Sequence, residues 1–128
     1  MRRGAVGWLV TGSVMLIAEG ALGVSLSTSL KNFYAEYEVV KQCAQEAQLT
    51  AADADQAKMA MAKIETHYLQ RDASIDKERL LKQAVADKND GFRIATRNSG
   101  SDLKYYCRVS LKELLAKAKE VDPSGKGQ

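Results

Sequence analysis

Between Val24 and Asp122 the chain has no proline and only two glycines, Gly91 and Gly100. Tight β-hairpins draw on Gly, Asn-Gly and Pro for their turn geometry. A stretch of this length without them has little chemistry for hairpins and is expected to fold as helices. The other seven glycines and Pro123 lie in the first 23 and last six residues. The two ends therefore differ in kind from the body.

The first segment reads as an address. Met1-Arg2-Arg3 is basic, residues 5–18 carry no charge, and Gly20-Ala21-Leu22-Gly23 supplies small residues. This is the order of a secretory signal peptide, with Ala21 and Gly23 at the small positions and cleavage before Val24. The competing reading is a retained membrane anchor. A spanning helix needs ~20 apolar residues, whereas the uncharged run is 14 residues long and ends at Glu19. The expected organisation is a leader over 1–23, a helical domain over 24–122 and a loose tail over 123–128. Membrane association is expected only if the leader stays.

Hydrophobic periodicity divides the body into four helices. Leu30, Phe33, Tyr37, Val40, Ala44 and Ala47 recur three and four apart, which predicts a first helix over about 28–48. Thr50 followed by Asp53 resembles a capping box. Ala54, Ala57, Met61, Ile64 and Tyr68 then predict a second helix over 51–70, with small alanines that allow close helix approach. Asp76 is the expected N-cap of a third helix, with Ile75 and Leu80 at the hydrophobic-staple positions. Its buried edge is expected at Leu80, Leu81, Ala84 and Val85. Asn89-Asp90-Gly91 reads as its stop; residues 92–97 fit either a short strand or a helical turn, and with no obvious partner strand the helical or irregular reading is favoured. Residues 98–102 read as a loop with a cap at Ser101 or Asp102. Leu103, Cys107, Leu111, Leu114, Ala118 and Val121 mark a fourth helix. The fold class expected is all-α, a small four-helix bundle.

An exported chain with two cysteines is expected to pair them. Cys43 falls late in the first helix and Cys107 early in the last, so a bond would join the two ends of the domain.

Searches for chemistry return little. His67 is the only histidine, and no G-x-S-x-G motif accompanies it. Asp87-Lys88-Asn89-Asp90-Gly91 looks like a calcium loop, but its glycine and its twelfth residue, Asn98, are out of register. Glu36/Glu38 and Asp53/Asp55 are two apart and do not share a helix face. No phosphate loop or C-x-x-C is present. No catalytic residue, metal ligand or cofactor is assigned, and an enzyme is not expected. A net charge of +3 falls to about +2 without the leader, too mild and too dispersed for a nucleic-acid binder.

The remaining signal is aromatic. Tyr34, Tyr37, Tyr105 and Tyr106, with Arg108, are residue types that anchor protein interfaces and form the candidate interaction patch. The expected function is non-catalytic binding of another envelope or secreted protein, in the periplasm or outside the cell, as a chaperone-like helper, an inhibitor or immunity protein, or an accessory subunit. The alternatives are a small ligand-binding bundle and a membrane-tethered envelope protein. In size, leader and helix-to-helix cysteine pair, the chain is similar to small exported helical proteins such as acid-stress chaperones and amidase immunity proteins. No residue motif carries that likeness, so it implies no functional residue.

Trp8 is the only tryptophan and lies in the leader. The mature exported protein should therefore emit tyrosine-type fluorescence alone. Indole emission from it would show that the leader is retained.

Overall fold

The structure, a computed structural model, describes residues 25–98 and 100–123. The expected leader over 1–23 and the tail from 124 onward lie outside the described residues. Four helices account for nearly all of the rest: α1 Leu26–Gln45, α2 Ala51–Arg71, α3 Lys77–Asn98 and α4 Gly100–Val121. No strand occurs among the described residues.

The helix starts follow from capping chemistry. Before α1, Ser25 Oγ accepts from the Thr28 amide at 3.1 Å. At α2 the capping box is complete: the Asp53 amide donates to Thr50 Oγ1, and the Thr50 amide donates to Asp53 Oδ2, each at 3.0 Å. At α3 the Arg79 amide donates to Asp76 Oδ1 at 3.2 Å. Each pair satisfies amides that the first helical turn leaves without partners.

Two boundaries differ from the sequence expectation. First, α1 stops at Gln45 rather than 48. The Gln48 amide donates to the Cys43 carbonyl at 2.8 Å and the Ala47 amide to the Ala44 carbonyl at 3.2 Å. Together these form a Schellman cap, with Ala47 at φ 61°. Ala47 is thus an exposed turn residue and not part of the buried stripe. Glycine usually fills this position because it lacks the Cβ that crowds the left-handed region, so alanine gives no warning of the stop.

Second, α3 does not end at Asn89-Asp90-Gly91. It runs through to Asn98, and residues 92–97 are helical. Phe92 and Ala95 are buried, and packing of that apolar edge extends the helix past its glycine. The loop expected over 98–102 contracts accordingly, since α4 begins at Gly100 and already includes Ser101 and Asp102.

α1 and α4 form the central pair. Each packs against the other and against both α2 and α3, while α2 and α3 lie on opposite sides of them. Leu30, Val40, Ile64, Leu80 and Leu114 are among the side chains withdrawn almost wholly from water. Burial of each such side chain favours folding by about 1.5–3 kcal/mol. Ala57 and Ala60 are buried too, and their small side chains bring α2 close to the pair.

The Cys43–Cys107 disulfide ties α1 to α4 across a Cα–Cα distance of 6.0 Å and a sequence separation of 64. Both cysteines are 0% exposed. Closing a loop of that length reduces the entropy of the unfolded chain, a stabilisation of about 4 kcal/mol. A domain's total stability is only ~5–15 kcal/mol. The double variant Cys43→Ala/Cys107→Ala should therefore lose several kcal/mol in urea unfolding, enough to leave a large unfolded fraction near body temperature. A loss below about 1 kcal/mol would show that the bond does not carry the fold.

Candidate functional site

The five residues of the candidate patch occupy four different environments. Tyr34 is buried. Its hydroxyl donates to Glu65 Oε2 of α2 at 2.6 Å. The same oxygen receives Lys77 Nζ, at the start of α3, at 3.0 Å. Burial, and then the bond to Glu65, hold the Tyr34 phenol well above its ordinary pKa. Tyr34 is thus a strut between helices and presents no surface.

Tyr37, nearly one turn on, is half-buried. Lys41 Nζ lies 5.0 Å from its ring centre and pairs with Glu38 at 2.9 Å. Tyr34 and Tyr37 help to line an open groove of about 410 Å³ over α1, whose walls include Met61 of α2 and Leu81 and Val85 of α3.

Tyr106 belongs to the seam between α3 and α4. Its ring meets Phe92 edge-on, with centroids 5.7 Å apart at 82°, a favoured aromatic geometry. Its hydroxyl occupies the space beside Gly91 that a Cβ there would need, and Cζ would lie only 3.0 Å from that Cβ. This explains a glycine inside a helix, where it costs about 1 kcal/mol relative to alanine.

Tyr105 and Arg108 are different again. Tyr105 is 72% exposed, and Arg108, three residues along α4, is also exposed. Arg108 is close enough to Asp53 at the start of α2 to help lower that carboxyl's pKa, although the Thr50 amide is the main cause. Three other large apolar side chains stand in solvent: Met59, Ile94 and Val85.

His67 accepts from Arg71 Nε at 3.0 Å and stands edge-on to Tyr68, 5.2 Å between centroids. It is part of the surface packing of α2. Among the described residues, no group of three His, Cys, Asp or Glu side chains could hold a metal ion, and no helix is long and apolar enough to cross a membrane.

One pair escaped the sequence reading. Glu36 of α1 and Glu113 of α4 line one groove. Glu36 Oε1 is buried with no hydrogen-bond partner. Burial, then the neighbouring Glu113 carboxyl, push the Glu36 pKa up to about 9. Tyr106 is raised as well, by burial and then by the charge of Glu36. Spacing along the chain could not reveal two neighbours on opposite ends of the domain. The available signal was Glu36's place in the rhythm Phe33, Glu36, Val40, Cys43, which sets a carboxyl on the buried side of α1.

Comparison with family models, with curated proteins and with solved structures finds no match to this chain.

The contact at Gly91 yields a specific expectation. Gly91→Ala should displace the Tyr106 ring and destabilise the fold by about 1–3 kcal/mol, the usual range for overpacking, less the helical gain of alanine. In a Tyr106→Phe background the penalty should shrink, because the hydroxyl is the nearest obstacle. Equal penalties in the two backgrounds, measured by urea unfolding, would place the strain elsewhere.

Proposed function

We propose that this is an exported, non-catalytic helical protein that works by binding another protein of the periplasm or extracellular space. The observation that carries the reading is Tyr105. It is a large aromatic side chain left 72% exposed on a domain that buries its other four tyrosines wholly or in part. Tyrosine and arginine are common interface anchors, and Arg108 stands one turn away on the same exposed side of α4.

Export rests on the disulfide. A buried bond between the first and last helices suits an oxidising compartment, where such bonds form and persist. The leader-like sequence at residues 1–23 is consistent with delivery there. A helper, an inhibitor and an accessory subunit would all use such a surface.

The groove over α1 favours a second reading, a small-ligand binder. Its tyrosine, methionine and aliphatic walls are the lining such sites use. Affinity capture from the envelope of the native host, with the mature oxidised protein as bait, separates the two. A stoichiometric protein partner that is lost with Tyr105→Ala or Arg108→Ala is the expected result. Recovery of a small molecule, or a partner held equally well by both variants, would overturn the proposed surface.

A further inference from the structure

Basic residues are spread through the chain, but acidic ones are not. Residues 25–90 carry nine basic and eleven acidic residues, whereas residues 91–121 carry seven basic against three acidic. The positive excess therefore falls late in the chain, and α4 gathers part of it on one side. Lys104, Arg108 and Lys112 are four apart and share a helix face. Lys119, seven residues beyond Lys112, continues the row, which spans about 22 Å at the α-helical rise. All four side chains are exposed.

The helix and its neighbours do not account for this row. Like charges four apart disfavour a helix, and Lys104 gains nothing from the helix dipole, which favours cations at the other end. The ion pairs among the described residues use none of the four. The acids bordering this side are engaged. Asp53, whose charge Arg108 feels, accepts from the Thr50 amide at 3.0 Å. Asp122 holds Lys63 at 3.4 Å, and Glu120 holds Lys117 at 3.1 Å. The row is left with little counter-charge of its own.

Beside it runs an apolar furrow. Between α2 and α4, Met59, Ala60, Leu115 and Ala118 line an open groove of about 440 Å³ together with Lys63 and Lys119. Leu115 and Lys119 also share a surface depression with Lys112 and Ala116, so furrow and row are continuous. Met59 is 60% exposed. The inner edge of α4, Leu103, Cys107, Leu111 and Leu114, is committed to the core. α4 therefore has no apolar face left to lay into a bilayer. A furrow flanked by cations suits an amphipathic helix instead.

We propose that this surface receives an acidic amphipathic helix of a partner protein, whose apolar side chains fill the α2–α4 furrow while its carboxylates face Lys104, Arg108, Lys112 and Lys119. This gives the partner's chemistry for the protein-binding reading above and rests on that reading. Carboxylates four apart on the incoming helix match cations about 6 Å apart on α4.

The probe is a synthetic amphipathic peptide with leucines on one face and glutamates flanking them. A twin carries lysines in place of the glutamates, and phosphatidylglycerol vesicles supply anionic charge without a helix. Titrated into the oxidised full chain, the glutamate peptide should bind and shift the NMR signals of α4 and of the Met59 methyl. Its affinity should fall as ionic strength rises from about 0.01 to about 0.15 M, where the screening length shrinks from about 30 to about 8 Å. The lysine twin should not bind. Lys104→Glu/Lys112→Glu should weaken binding roughly tenfold or more, because it sets like charges against each other. Both positions are exposed, so its urea midpoint should stay near the parent's. Lys58→Glu/Lys82→Glu makes the same change of charge at exposed positions of α2 and α3 and should bind nearly as well as the parent. Equal losses in the two variants would assign the attraction to net charge and overturn the site. Binding to the vesicles alone, or to both peptides alike, would overturn it too. A silent glutamate peptide beside a Tyr105-dependent protein partner captured from the envelope would remove the acidic helix and keep the protein-binding reading. Silence in both would remove both.

Discussion

The α1–α4 seam is the constraint on which the rest of the structure depends. These two helices come from the beginning and end of the domain, so their contact is the most expensive in chain entropy to close. The Cys43–Cys107 bond removes much of that cost. Once the pair is set, α2 and α3 need only cover its two flanks. This explains why α2 and α3 require little packing against each other, and why an open groove remains over α1 between them. It also explains the total burial of both cysteines.

Polar interactions then divide into two kinds. Most ion pairs are peripheral, such as Lys31–Asp87 between α1 and α3 and Lys77–Glu65 between α3 and α2. Each partner keeps some contact with water, so each pair contributes little to net stability. Lys63–Asp122, at 3.4 Å, similarly ties the end of α4 to α2. Glu36 is the other kind: its Oε1 is buried without a hydrogen-bond partner, while Glu113, on the same groove, is exposed.

Much of the architecture was legible in the residues. The shortage of turn chemistry pointed to helices, the 3-4 rhythm located them, and Thr50, Asp53 and Asp76 marked two starts. The cysteine pairing followed from their number and separation. Errors arose where a local signal met a tertiary force. Asn89-Asp90-Gly91 has the composition of a helix stop, yet the burial of Phe92 and Ala95 and the fit of Tyr106 against Gly91 carry α3 through it. At Ala47 the failure ran the other way: a helix-favouring residue adopted a turn conformation because the Schellman bonds to Cys43 and Ala44 stabilise it.

The candidate patch shows the same division. Tyrosine is amphipathic, so its occurrence along a helix does not say whether it will be core or surface. Tyr34 became a buried strut to Glu65, Tyr106 a wedge between helices, and Tyr105 an exposed side chain beside Arg108. By itself the sequence determined the secondary structure, the order of the helices and the means of stapling them, because periodicity, capping and cysteine count act within or along the chain. Only the tertiary structure decided which tyrosines meet water and that Glu36 and Glu113 share a groove, because burial depends on which faces of distant helices come together.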